Sequence, residues 1–237
     1  MPAEGARAVS KPATISSMDH RVPTTVVVIG GDAPRSSIKA ALPVFDYVIA
    51  ADSGLHGAIA LGLVVDAVVG DMDSVDELEL GEAQTAGTIV DRAPTNKDAT
   101  DTELALLFAA ERGAKRIVVV TGGGGRLDHQ LGVLNVLFHP RLANIYVEMF
   151  WDTAHVIVLR GPGSAVVNGR RGEIVGLLPL GQEAIGITTE GLAWPLDHET
   201  LAAYSTRGVS NELVDTVAHV SLTDGHLLII RPHALES

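Results

Sequence analysis

No cysteine occurs in this chain, which excludes disulfide bonds and thiol chemistry and fits a reducing compartment. Aromatic residues are also scarce, 4 % of a composition that is 46 % hydrophobic, so any core must be built from aliphatic side chains. Nowhere does an apolar run reach the length of a membrane span, and the N-terminus lacks the apolar centre of a signal peptide. The expected setting is the cytoplasm, away from any membrane. Positive charge is short too: 17 lysines and arginines face 29 acids, a net −12 that argues against a nonspecific nucleic-acid binder. What remains is 237 residues, enough for one large domain or two ordinary ones.

The acids are unevenly spread. Residues 66–101 carry ten of them against Arg92 and Lys97. For Glu77, Glu79 and Glu82 a solvated surface is explanation enough. Asp71 and Asp73 are different, because Gly70-Asp71-Met72-Asp73-Ser74 sits where an apolar run (Val64, Val65, Ala67, Val68, Val69) stops. In an extended segment alternate side chains share a face, and two carboxylates 4 Å apart repel by roughly 4 kcal/mol at an effective dielectric near 20. A cation between them relieves that repulsion. Hard oxygen ligands at a strand end suit Mg²⁺, which bridges carboxylates to substrate phosphates. A plainer alternative is a strand-to-helix turn, with Ser74 and Glu77 at capping-box spacing.

Residues 1–22 show no sustained period and are expected to be a disordered leader. Buried strands are predicted at 26–29, 47–51 and 65–69, with a weaker one at 88–90 and a further one at 117–120. The second ends in Asp52-Ser53-Gly54, followed by a helix stopped at Gly62. Pro94 to Asp101 leads into a helix whose Thr100 and Glu103 have capping-box spacing, placing Asp98 and Asp101 at its entrance. After 117–120 comes Thr121-Gly122-Gly123-Gly124-Gly125-Arg126-Leu127-Asp128-His129 and another helix. A strand, a glycine-rich turn and a helix N-terminus together present backbone N–H groups to phosphate, and Arg126 can grip phosphate oxygens. All these polar clusters follow predicted strands, so they fall at the carboxyl edge of a mostly parallel, Rossmann-like sheet, where open α/β sheets bind ligands.

Beyond 145–151 the texture changes to short strands at 155–159, 165–167, 174–178, 185–189, 216–222 and 227–230, broken by Gly, Pro and Asp. Asp224-Gly225 signals a tight hairpin between the last two. The expected architecture is a leader (1–22), an α/β nucleotide-binding domain (23–151) and an all-β sandwich (152–237). In the latter, Trp194 is either core or a face for stacking a flat or cationic heterocycle, and Ser210-Asn211 lies in a polar stretch.

With these motifs in view, the chain resembles the thiamine pyrophosphokinases. The resemblance runs from about residue 24 onward. It rests on Gly70-Asp71-Met72-Asp73-Ser74, on Lys97-Asp98-Ala99-Thr100-Asp101, on Gly124 to His129, and more loosely on Trp194 and Ser210-Asn211. It implies transfer of pyrophosphate from ATP to the thiamine hydroxyl, giving thiamine diphosphate and AMP, in a homodimer with sites between subunits. Carried over residue by residue, Asp71, Asp73 and one of Asp98 or Asp101 would hold Mg²⁺. Asp52, Lys97, Thr100, Gly124, Gly125, Arg126, Asp128 and His129 would line the phosphate or thiamine site, with Trp194, Ser210 and Asn211 contacting thiamine from the β domain. Ser53 stands where a second glycine is expected, and Met72 where an aromatic is common.

The chemistry agrees with that picture. Phosphoryl-type transfer needs positioning and charge neutralisation more than covalent help. Arg126 and Lys97 would hold the phosphate chain in line, and Asp98 or Asp101 would accept the hydroxyl proton. Two other readings keep part of it: a pyrophosphokinase acting on another heterocyclic alcohol such as a pterin, and a nucleotide-sensing module without turnover.

Overall fold

The computed structural model describes residues 22–95 and 98–236. Its first part alternates strand and helix: β1 (Thr24–Val28), α1 (Ser36–Ala41), β2 (Tyr47–Ala51), α2 (Gly54–Ala60), β3 (Ala67–Gly70), α3 (Glu77–Thr85), β4 (Ile89–Arg92), α4 (Asp101–Glu111), β5 (Arg116–Thr121), α5 (Leu127–Val136) and β6 (Tyr146–Trp151). The rest is β-rich: β7 (Ala154–Arg160), β8 (Gly163–Asn168), β9 (Ile174–Glu190), β10 (Glu199–Leu201), β11 (Asn211–Glu212), β12 (Val217–Leu222) and β13 (Asp224–Arg231).

Strands β4-β3-β2-β1-β5-β6 lie side by side and all pair in parallel. β1 is buried at every position, as a β-branched strand covered on both faces must be. Its alternate residues feed different cores. Val27, with Ile29, packs among Ile49, Leu106 and Met149, whereas Val26 and Val28 pack among Ile38, Leu55 and Val118 on the opposite face. Because the strands are parallel, their C-terminal ends share one rim. That rim positions the site.

β6 turns back antiparallel into β7, and hydrogen bonding continues through β13, β9, β12 and β8. The first core crosses the turn with it, taking in Val156, Val158 and Leu228, while a third, aliphatic core is built from Val167, Leu177, Ile187, Leu213 and Val220.

Three local expectations are corrected. The strands predicted at 174–178 and 185–189 are one 17-residue strand, β9, that bends at Gly181 and Gly186, both with positive φ. Asp224-Gly225 is not a two-strand hairpin. β12 pairs with β8 and β9, β13 with β7 and β9, so the two successive strands attach to separate stretches of β9 instead of to each other. The cap of α3 is Asp76, whose carboxylate accepts from the N–H groups of Leu78 and Glu79 at 2.9 and 3.1 Å, while the Ser74 hydroxyl donates to Asp73 at 2.8 Å. An acceptor one residue before the first turn reaches those amides better than one three residues back. The capping box of α4 is as expected, with Thr100 Oγ1 accepting from the Glu103 N–H at 3.2 Å. Residues 1–21 of the expected leader, and Asn96 and Lys97, lie outside the described residues.

Candidate active site

A cavity of about 470 Å³ opens at the C-terminal rim of β1, β2, β3, β5 and β6. Asp52 follows β2 and Asp71 and Asp73 follow β3, and one carboxylate oxygen from each lies within 4.8 Å of the others. Asp52 is buried, at 7 % exposure, and its Oδ1 has no hydrogen-bond partner among the described residues. Burial pushes its carboxyl above the usual range, opposed by the Ser53 backbone N–H and reinforced by the negative charges of Asp101, Asp73 and Asp71. A buried, orphaned carboxylate oxygen beside two further carboxylates is an arrangement that a hard divalent cation satisfies.

The backbone is shaped around this group. Gly70 sits at φ 152°, and a Cβ there would lie 2.8 Å from Asp101 Oδ1 and 3.1 Å from Asp52 Cβ. Its bare backbone therefore lets the start of α4 close on β2 and β3, bringing Asp101 beside the cluster. Met72 and Asp52 both hold positive φ, 66° and 47°, a conformation non-glycine residues rarely take and one that persists where function requires it. Arg92 on the edge strand donates to the Asp71 carbonyl at 3.2 Å.

On the other side of the cavity two glycine turns are tied together. Thr121 Oγ1, 2 % exposed as a residue, donates to the Gly30 carbonyl at 3.1 Å and accepts from the Gly123 N–H at 3.0 Å. The Asp32 N–H donates to the Gly123 carbonyl at 2.7 Å, and the Gly122 N–H to the Asp32 carbonyl at 3.1 Å. Gly123, Gly124 and Gly125 are successively left-handed, with φ of 79°, 72° and 77°, a run only glycine sustains without strain. They lead into the N-terminus of α5, where Arg126 and His129 line the cavity. Arg126 is gripped by Asp128, Nε to Oδ1 at 3.1 Å and Nη2 to Oδ2 at 2.5 Å, and this pairing holds the Asp128 carboxyl down at about 2. The pair sets a guanidinium at the mouth of a glycine turn, a fitting arrangement for phosphate.

Of the residues singled out in the sequence, the cavity gathers Asp52, Asp71, Asp73, Thr100, Asp101, Gly124, Gly125, Arg126 and His129. Asp128 does not line it but orients Arg126. Asp98 is exposed and also lies outside the lining. Trp194, Ser210 and Asn211 belong to the β-rich part and stand apart from the cavity. Trp194 is 60 % exposed, so it is not core. Asn211 is buried and clamps its backbone, accepting from the Trp194 N–H at 3.0 Å and donating to its carbonyl at 2.7 Å. Ser53 and Thr121, members of the polar clusters expected at this rim, line the cavity too, whereas sequence reasoning missed Gln130 and Trp151 in that lining. Trp151 ends β6, so the strand-end rule applied to that strand would have found it.

Comparison with known proteins places this geometry. The family model described as the thiamin pyrophosphokinase catalytic domain matches residues 39–149, and that described as the thiamin pyrophosphokinase vitamin B1 binding domain matches residues 164–227. The chain belongs to the thiamine pyrophosphokinase family. A thiamine pyrophosphokinase of Bacillus subtilis is 26 % identical over 183 residues, 77 % of this chain and 86 % of the relative. A thiamine pyrophosphokinase 1 of rice, Oryza sativa subsp. japonica, is 28 % identical over 166 residues, 66 % of this chain and 62 % of that one. The crystal structure of a Bacillus subtilis thiamine pyrophosphokinase superposes with a TM-score of 0.76 at 26 % identity, covering 88 % of this chain and 98 % of its own. Like a thiamine pyrophosphokinase at large, this chain combines a mixed sheet flanked by helices with a β-rich C-terminal part. Among the described residues no helix is long and apolar enough to cross a membrane.

Proposed function

We infer that the chain transfers pyrophosphate from ATP to the hydroxyl of thiamine, giving thiamine diphosphate and AMP. The observation that carries this reading is the pair of family matches, catalytic part then vitamin B1 part, on a chain whose catalytic part gathers three carboxylates beside a glycine turn. Residues 23–151 act as the nucleotide-binding α/β unit, Rossmann-like in its parallel register, and residues 152–237 as a thiamine-binding β sandwich.

Asp52, Asp71 and Asp73 would hold the divalent ion, Mg²⁺ by the hardness of their oxygens. Once bound, that ion supplies charge neutralisation for the polyphosphate. The N–H groups of Gly124, Gly125 and Arg126 and the Arg126 guanidinium bind the phosphate chain and keep the β-phosphorus in line with the entering hydroxyl. The thiamine oxygen attacks that phosphorus, the bond to the α-phosphate oxygen breaks, and AMP leaves with both electrons of that bond. Asp101, which lines the cavity beside Asp52, accepts the hydroxyl proton, a role its neighbour Asp98 is too far outside the lining to fill. Lys97 is retained as a phosphate contact on the resemblance alone.

Trp194 and Ser210 contact thiamine from a second copy of the chain, with Asn211 behind them holding the Trp194 backbone, making the working unit a homodimer. Two observations support this. Trp194 and Tyr204 are exposed at 60 % and 94 % in the β-rich part, and α5, at the cavity mouth, buries no residue and exposes Leu127 and Leu131 at 69 % and 51 %. Incubation with ATP, Mg²⁺ and thiamine tests the reaction. AMP and thiamine diphosphate should form in equal amounts. ADP in place of AMP would contradict the reading, as would turnover of a pterin alcohol in preference to thiamine.

A further inference from the structure

The acids occupy one end of the cavity. Beyond the glycine turns, at the end of β6, stands Trp151, the one large aromatic side chain in the lining, with Gln130 and Val133 of α5 also lining the cavity. The strand order fixes the distance between the two ends. Asp71 and Asp73 follow β3, the two glycine turns follow β1 and β5, and Trp151 closes β6. From β3 to β6 is four strand spacings, about 19 Å along the rim. The groups met on the way are a carboxylate cluster, a glycine turn and a flat indole. That is the order of needs along an extended nucleoside triphosphate: a cation for the outer phosphates, N–H donors for the inner ones, an aromatic face for the base.

The turn and the indole are also in contact. A Cβ on Gly123 would lie 2.3 Å from Trp151 Nε1 and 3.0 Å from its Cδ1, so the phosphate turn rests against this side chain only because residue 123 has none. Trp151 is held in turn by its place in β6, opposite Thr121 of β5, the residue whose hydroxyl joins the two glycine turns. The next residue, Asp152, is fixed by Arg35.

We propose that Trp151 is the wall against which the base of the nucleotide stacks, and that it fixes the AMP half of ATP while the outer phosphates are transferred. This rests on the ATP reading above and adds the subsite that reading leaves unassigned. Thiamine, the other flat heterocycle, is a cation and is drawn to the carboxylates, which leaves the indole to the neutral base. Stacking on an aromatic face tolerates any base, so the subsite supplies affinity more than choice among bases.

Replacing the indole tests this. In Trp151→Leu the KM for ATP should rise about tenfold, with kcat and the KM for thiamine within about twofold of the unaltered enzyme, and Trp151→Phe should recover most of the loss. Inorganic tripolyphosphate, which has no base, should inhibit both proteins equally. An unchanged KM for ATP, a rise confined to thiamine, or parallel weakening of ATP and tripolyphosphate would overturn the proposal. Fluorescence gives a second readout independent of turnover and of how the leucine variant folds. The chain has two tryptophans, so Trp194→Phe leaves Trp151 as the only reporter. AMP should quench it and pyrophosphate should not; no response to AMP, or an equal response to both, would contradict the assignment. An enzyme that makes no AMP from ATP and thiamine would instead sink the functional reading, while the quenching experiment would still decide the base subsite.

Discussion

The two parts of the molecule treat their polar residues in opposite ways. In the α/β part, side chains far apart in sequence (Asp52, Asp71, Asp101, Arg126) meet in one cavity. In the β-rich part, Trp194, Ser210 and Asn211 do not join it, and Asn211 spends its amide on holding the Trp194 backbone. Strand direction accounts for the difference. Parallel strands all end at the same rim, so whatever follows each of them is delivered there. Antiparallel strands end alternately at both rims, and their loops scatter.

That contrast can be broken most severely at the acids. Asp71→Asn should lower turnover by about two to three orders of magnitude in a product assay, because it weakens the hold on the cation that neutralises the polyphosphate. Asp101→Asn should cost about a hundredfold and Asp98→Asn less than about threefold, since only Asp101 lines the cavity. Equal losses would return Asp98 to the site. Next in size is an experiment on the β-rich part. If Trp194 serves the neighbouring copy, mixing inactive Asp71→Asn with Trp194→Ala at low thiamine should restore about a quarter of the sites, since half the dimers are mixed and each has one intact site. No recovery would place Trp194 and Asp71 in the same chain's site, or Trp194 in none.

The smallest effect on catalysis is expected at the seam between the parts. Glu148 on β6 is buried, accepts from Arg116 Nε at 2.8 Å and Nη2 at 2.5 Å, and pairs with His155 Nε2 of β7 at 2.9 Å. Burial pushes its carboxyl up, but His155 and Arg116 outweigh that and leave it below its ordinary 4.5. A depressed carboxyl contributes stability above its unfolded value, and that contribution fades as pH falls through the folded one. Glu148→Gln should therefore cost about 2 kcal/mol near neutrality, by denaturant unfolding, and flatten the loss of stability below pH 4.5. Turnover at neutral pH should hold.

The same asymmetry explains what was legible in the sequence. Apolar β-branched runs ending in Asp52, Gly70-Asp71 and Gly122 announced both the strands and the rim, because in a parallel sheet periodicity and position carry the same information. The choice between Asp98 and Asp101 was not legible, since it depends on how closely α4 packs against Gly70. Nor was β9, whose two halves read as separate strands because Gly181 and Gly186 look like turns when they only bend a continuous one. Trp151 was passed over because a tryptophan ending an apolar run reads as core.

The acids at this rim are gathered at a cost to the empty protein and recover it only with a divalent ion and a polyphosphate among them. Thermal unfolding of Asp71→Asn beside the unaltered chain tests it directly. The asparagine variant should melt higher when nothing is bound, and Mg²⁺ with a non-hydrolysable ATP analogue should raise the melting temperature of the unaltered chain but barely move the variant's. A variant no more stable than its parent, and stabilised equally by Mg²⁺ and the analogue, would contradict it.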